Sequence, residues 1–180
     1  MMFRKKSRSS VFNLSQEKKS RSSVSNLSEG KTSAEGIELI KKFEGCKLDP
    51  YRCSANVLTQ GYGHTKTVVE GQSWSQDHAE EMLMLDLQEF EQAVRELITV
   101  DLNEDQFSSL VAFTFNVGRG NLATSTLRKV LLAEKYGEAP DQIRRWNKAT
   151  VNGEKVVLDG LVRRRNAEAL LFQSKPWDHI

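Results

Sequence analysis

From about residue 32 onwards the apolar positions of the chain fall into helical spacing, interrupted once by an extended stretch. Thr32-Ser33-Ala34-Glu35 has the spacing of a capping box, and Ile37, Ile40 and Phe43 continue one face. Gly45 stops that helix and leaves Glu44 in its last turn. From Leu48 to Gln72 the pattern changes to short β-capable pieces broken by turn formers: Tyr51-Arg52-Cys53, Ser54-Ala55-Asn56, Val57-Leu58-Thr59, Gly61-Tyr62-Gly63 and Thr67-Val68-Val69. These predict a small antiparallel meander. A long amphipathic helix follows, capped by Ser75 and carrying Ala79, Met82, Leu83, Asp86, Phe90, Val94 and Leu97. Asn103-Glu104-Asp105-Gln106 is a second capping box, opening a helix with Phe107, Leu110, Val111 and Phe115 that Gly118 and Gly120 stop. Helices are predicted near 124–136 and 140–147, the second with Pro140 in its first turn. Asn152-Gly153, between Val151 and Glu154-Lys155-Val156, suits a tight hairpin, and a last helix runs from about Leu161 to Phe172. The expected fold class is α+β: a small β-meander lobe and a helical lobe joined by a long helix, with a cleft between the lobes.

Composition sets the limits of this picture. With 180 residues, 38% hydrophobic, the chain has room for one globular domain with a real core. Three Pro and two Cys exclude Pro-rich and disulfide-scaffold classes. No apolar run approaches the roughly 18 residues of a membrane span, so no transmembrane segment is expected. The net charge of +2 is unevenly spread: residues 1–33 hold eight Lys/Arg against two Glu, and residues 34–180 hold 18 basic against 22 acidic groups. The body is therefore acidic, and no nucleic acid partner is expected for it.

Residues 1–33 form a basic arm with an internal repeat. Lys5-Lys6-Ser7-Arg8-Ser9-Ser10-Val11-Phe12-Asn13-Leu14-Ser15 recurs as Lys18-Lys19-Ser20-Arg21-Ser22-Ser23-Val24-Ser25-Asn26-Leu27-Ser28. Ten serines and the charge excess predict a disordered arm, and the globular domain is expected over 34–180. No apolar core follows the basic start, so a secretion signal is not expected. The arm reads either as a solvated extension or as a contact for an anionic cell-envelope surface.

Three side chains that a helix end and a facing hairpin can bring to one cleft carry the candidate chemistry: Glu44, Cys53 nine residues on, and Thr59 six further. A Glu in a partly apolar cleft keeps its proton and acts as an acid. A Cys is a base or nucleophile once its thiolate is stabilised, and a Thr holds a water. The residues around them, Phe43-Glu44-Gly45-Cys46-Lys47-Leu48-Asp49-Pro50-Tyr51-Arg52-Cys53 and Val57-Leu58-Thr59-Gln60-Gly61-Tyr62-Gly63-His64-Thr65, resemble the active-site segment of the phage-type lysozymes, glycoside hydrolase family 24. Gln106-Phe107 through Phe115-Asn116-Val117-Gly118, Ser125-Thr126-Leu127, and Gly160-Leu161-Val162-Arg163-Arg164-Arg165-Asn166-Ala167-Glu168 are similar to its later helices. The likeness covers roughly residues 34–173. Where the family pattern has an Asp this chain has Cys53, which resembles a Cys-containing subgroup of endolysins.

The resemblance implies a lysozyme-like two-lobed enzyme, an endolysin cutting the β-1,4 bond between N-acetylmuramic acid and N-acetylglucosamine in bacterial peptidoglycan for host cell lysis. Glu44 is then the general acid, Thr59 positions a water, and Cys53 assists as base if ionised, with inversion at the anomeric carbon. No cofactor or metal is implied, and a monomer is expected. The implied setting is the host cytoplasm, with access to the wall after membrane permeabilisation or by delivery within a virion. Gly61, Tyr62, Asn116 and Gly118 are the candidate substrate-binding residues.

Bland readings stand beside these. Cys46 and Cys53 are candidates for a regulatory disulfide or for two free thiols. His64 is expected to be a hydrogen-bonded structural residue, since no second ligand sits at metal spacing. Arg164, Arg165 and Glu168 have the spacing of a structural ion-pair set. The rival functions are a lytic transglycosylase, in which the sugar's own hydroxyl replaces water, and a non-catalytic peptidoglycan-binding protein.

Overall fold

A computed structural model describes residues 30–53 and 55–180 of the chain. The repeat arm and its expected disorder lie outside these residues, apart from its last four. The first helix, α1 (Ala34–Glu44), is capped by Ser33 rather than Thr32: the Ser33 hydroxyl accepts from the Gly36 N–H at 3.2 Å. Thr32 is used elsewhere, donating its N–H and hydroxyl to Glu91, both at 2.8 Å. At the other end Gly45 takes φ +67°, a conformation that costs a residue with a Cβ, and its N–H closes the last turn on Lys41.

The chain then forms a hairpin, β1 (Lys47–Arg52) antiparallel to β2 (Leu58–Gly61), with Tyr51 opposite Thr59 and Arg52 opposite Leu58. The register shifts between Lys47 and Tyr51, where Pro50 has no N–H to offer a ladder. The last predicted piece of the meander, Thr67-Val68-Val69, is not a strand. Beyond β2 a single antiparallel bridge pairs Gln60 with His64. The His64 ring then takes up the Thr67 N–H at 3.1 Å, so that backbone is satisfied by a side chain instead of a ladder.

Helix α2 (Gln76–Leu97) joins the lobes, capped by Ser75 as expected. Its 22 residues span about 33 Å, and Ala79, Leu83, Leu87 and Val94 are its buried stripe. Helix α3 (Glu104–Val117) has both halves of its capping box: the Gln106 N–H donates to Asn103 Oδ1 at 2.8 Å and the Asn103 N–H to Gln106 Oε1 at 3.0 Å. Every residue from Phe107 to Thr114 is buried, because α3 is wrapped by α1, α2 and the last helix. Gly118, with φ +87°, makes the bend after α3, whereas Gly120 sits within α4 (Arg119–Thr124). The helix expected near 124–136 is shorter, α5 (Thr126–Leu132), and is capped by Ser125. A 3-10 turn leads to α6 (Ala139–Arg144), starting with Pro140 in its first turn. The hairpin of β3 (Lys148–Val151) and β4 (Glu154–Val157) turns at Asn152 and Gly153, both with positive φ, as a tight Asn-Gly turn requires. Helix α7 (Asp159–Phe172) closes the fold.

The core joins Leu39 and Ile40 of α1, Leu83 and Leu87 of α2, Leu110, Val111 and Phe113 of α3, and Leu171 and Phe172 of α7. At about 1.5–3 kcal/mol for each large apolar side chain buried, α3 is the element to which the others are anchored. The helical lobe thus holds the C-terminal end of α1, and with it Glu44, against the small β lobe.

Candidate active site

Glu44 is set by an ion-pair chain through the core. Its Oε1 accepts from Arg164 Nη1 at 2.6 Å, and its side chain is 22% exposed. Arg164, 5% exposed, donates through Nε to Glu168 Oε1 at 3.0 Å and through Nη2 to the Ala112 carbonyl at 3.4 Å. Glu168 is fully buried, and its Oε2 lies 3.2 Å from Arg165 Nη1. Arg165 in turn donates to Asn116 Oδ1 and packs its guanidinium over the Phe113 ring. Burial pushes the Glu168 carboxyl up, against the two guanidiniums that pull it down. The expected set of Arg164, Arg165 and Glu168 is therefore present, and it extends beyond α7 at both ends, to Glu44 on α1 and to Asn116 on α3. Glu44 was expected in partly apolar surroundings. It sits instead against a buried cation that fixes one of its oxygens.

Glu44 and Asn116 are common to two hollows. One, of about 280 Å³, is walled by Glu44, Tyr62, Asp86, Glu89, Phe90 and Asn116, together with residues 63, 65, 66 and 115. The other, of about 590 Å³, runs on past Lys42, Leu158, Leu161 and Arg163. Of the candidate binding residues, Tyr62 and Asn116 line the first hollow. The Tyr62 hydroxyl accepts from Gln76 Nε2 at 2.8 Å, and burial raises its phenol above the ordinary value. Gly61 and Gly118 are not in either wall. Gly61 has φ +62° and a Cβ there would stand 3.1 Å from Trp74, so close packing and backbone geometry account for it. Gly118 takes positive φ at the end of α3, its N–H bonded to Thr114 at 2.7 Å.

Sequence reasoning missed three charged wall residues. His64 Nδ1 meets Asp86 Oδ2 at 2.8 Å, and Nε2 lies 3.0 Å from Thr67 Oγ1, so His64 is held at both nitrogens. Lys66 of the β lobe donates to Glu89 of α2 at 2.8 Å across the same wall. The available signal was a polar Asp86 between Leu83, Leu87 and Phe90 on an otherwise apolar stripe.

Cys53 and Thr59 face one another inside the β lobe, outside the walls of both hollows. The Cys53 N–H donates to the Val57 carbonyl at 3.0 Å, and Thr59 Oγ1 donates to the same carbonyl at 3.0 Å. Thr59 is 4% exposed. Hydrogen bonds from the backbone of Val57 and Ala55 hold the Cys53 thiol below the usual thiol range, outweighing its desolvation, and the Thr59 hydroxyl adds to them. Burial pushes the Cys46 thiol the other way, although the Tyr62 hydroxyl opposes it. Iodoacetamide at neutral pH is therefore expected to label Cys53 severalfold faster than Cys46, and peptide mass spectrometry after brief exposure reads the order.

Both cysteines are free. The six residues of β1 lie between them, and seven steps of about 3.3 Å put their Cα atoms about 23 Å apart. A disulfide needs about 4.4–6.8 Å, so of the two candidate readings, a regulatory bridge and two free thiols, the fold with β1 formed fits the free thiols.

Residues 41–168, which contain the Glu44, Cys53 and Thr59 positions, match the phage lysozyme family. The chain belongs to that family. An endolysin of Acyrthosiphon pisum secondary endosymbiont phage 1 is 38% identical over 140 residues, covering 78% of this chain and 96% of the relative. The muramidase domain of SpmX from Asticaccaulis excentricus superposes with a TM-score of 0.76 at 34% identity, over 79% of this chain and 97% of that domain. An endolysin from Escherichia coli O157:H7 phage FAHEc1 gives a TM-score of 0.74 at 34% identity, over 83% and 95%. The lysozyme-like α+β fold, mostly helical with a small β lobe, is thus that of the phage lysozyme family.

Proposed function

We propose that this phage lysozyme is an endolysin that hydrolyses the β-1,4 bond between N-acetylmuramic acid and N-acetylglucosamine in bacterial peptidoglycan. The observation that carries the reading is a partly buried carboxylate, Glu44, fixed by a buried arginine where two hollows meet. A glycan strand laid through both hollows crosses this carboxylate. Arg164 holds Oε1, so the proton for the leaving oxygen is carried on Oε2. As the bond breaks, positive charge grows on the sugar and Glu44 becomes anionic beside the guanidinium that receives it.

The resemblance assigns the attacking water to Thr59, whose hydroxyl donates to the Val57 carbonyl here and lies outside the walls of the two hollows. The Cys53 thiolate takes the water's proton, in the role the subgroup with Cys at the second catalytic position assigns to it. The backbone of Val57 and Ala55 favours that thiolate. A water attacking opposite the leaving group inverts the anomeric carbon, and proton NMR of the first product tests this. The α-anomer is expected first; a β-anomer first means a double displacement and removes the water-activating role from Thr59.

Cys53→Ala is expected to lower turnover by about 10²-fold or more, the contribution of a positioned base. Cys53→Asp is expected to restore most of it. Activity in the native protein rises with pH as the thiol ionises, and in Cys53→Asp that rise moves to lower pH, because an Asp ionises near about 3.9 against about 8.5 for a free thiol. Unchanged turnover in Cys53→Ala rules out the base assignment. No helix among the described residues is long and apolar enough to cross a membrane. In this reading the protein is made in the host cytoplasm and reaches the wall through a separate membrane lesion or within a virion.

A further inference from the structure

Asn116 belongs to the walls of both hollows, and among the residues that line them it is the one with a side-chain amide. It is exposed, yet its carbonyl end is gripped from the core. Arg165, fully buried, gives the one hydrogen bond of its guanidinium among the described residues, from Nη2, to Asn116 Oδ1. A guanidinium has donors only, so the amide oxygen must face Arg165 and the Nδ2 N–H pair must face away from it. The arginine has little room to turn. Its Nη1 lies 3.2 Å from Glu168 Oε2, and the centre of the buried Phe113 ring is 5.1 Å from its Cζ.

An exposed amide is well solvated without a protein partner, so this bond adds little to stability. What it removes is the freedom of the Asn116 side chain to turn. The same Glu168 pairs with Arg164, which holds Oε1 of Glu44. One buried carboxylate therefore sets the acid and the amide in a fixed relation where the two hollows meet. The other polar groups of the first hollow narrow what the amide can meet there. Glu44, Asp86 and Glu89 are carboxyl groups, and the Lys66 ammonium is paired with Glu89. A fixed, neutral N–H pair beside them suits an uncharged acceptor and offers nothing to an ammonium, which has no lone pair. Each sugar of the strand carries such an acceptor in its acetamido carbonyl. On N-acetylmuramic acid it hangs from the carbon next to the one whose bond is cut.

We propose that Arg165 is a positioning residue that fixes Asn116 as the donor to a sugar acetamido carbonyl. The protein then prefers N-acetylated strands to strands with a free amine at that place. The inference rests on the hydrolase reading above and adds to it a residue that acts only through another.

Nitrogen-15 relaxation of the native protein reads the grip directly. The order parameter of the Asn116 side-chain N–H pair is expected to stay above about 0.6, towards that of rigid backbone, although the residue is exposed. A value below about 0.6 overturns the positioning by Arg165. The acceptor is tested by kcat/KM on peptidoglycan glycan strands, N-acetylated and chemically de-N-acetylated, for the native protein and Asn116→Asp. The Asp keeps the shape of the side chain and an oxygen for Arg165 but has no N–H to offer. The native protein is expected to favour the acetylated strand by about tenfold, mainly through KM, and Asn116→Asp to lose that preference or reverse it. Arg165→Lys is expected to raise KM on the acetylated strand and to change it no further in an Asn116→Asp background. A native protein indifferent to the acetyl group, or an Asn116→Asp variant with the native preference, overturns the inference alone. A native protein that releases no reducing ends from either strand removes the hydrolase reading, and the acetamido acceptor with it.

Discussion

Replacing Glu44 with Gln is expected to lower peptidoglycan hydrolysis by about 10³-fold, within the range that a positioned proton donor contributes. The substitution keeps the shape of the side chain, and the amide oxygen still accepts from Arg164, so the hollows on either side are preserved. What is lost is the proton. Stability is expected to change little, because Arg164 retains Glu168 as its buried counter-charge. Turnover on purified peptidoglycan and a thermal melt, measured on the same preparation, separate the two effects. A variant that cuts as well as the native protein removes Glu44 from the chemistry.

Glu168→Gln is expected to behave in the opposite way, with a large loss of stability. Glu168 is fully buried between two arginines, and guanidinium groups do not give up their protons. The neutral amide leaves Arg165 without its counter-charge, a situation that typically costs about 3–5 kcal/mol. For a chain of this size that corresponds to a fall of roughly 10 °C in melting temperature. Activity falls as well, since the Arg164 Nε bond to a neutral amide oxygen is weaker than to a carboxylate and aims Nη1 at Glu44 less firmly. Urea unfolding and turnover at a temperature where the variant is folded measure the two losses. A stability change below about 1 kcal/mol means that Glu168 is not the anchor of the ion-pair chain.

How much of this was legible in the sequence depends on how far apart the interacting residues are. Helices α2 and α3 were readable because their caps and apolar stripes are local, and Glu44 was placed at a helix end by Gly45 alone. The β lobe was read with a strand too many, because the pattern of Thr67-Val68-Val69 says nothing of a His64 ring that takes the Thr67 N–H. Gly61 and Gly118 stood beside promising residues but serve positive backbone angles. The spacing of Arg164, Arg165 and Glu168 revealed an ion-pair set within one helix. Its connection to Glu44 spans 120 residues and left no local trace. A separation of seven positions leaves proximity of Cys46 and Cys53 open, whereas an extended strand between them keeps them apart.

The most direct measurement is mass spectrometry of the sugars released from purified peptidoglycan by the reduced protein in heavy-oxygen water, beside a Glu44→Gln control. The expected products end in reducing N-acetylmuramic acid carrying one solvent oxygen, and they are absent from the control. Anhydro-muramic ends without solvent oxygen, or the same products from Glu44→Gln, contradict hydrolysis by Glu44 with a water held at Thr59.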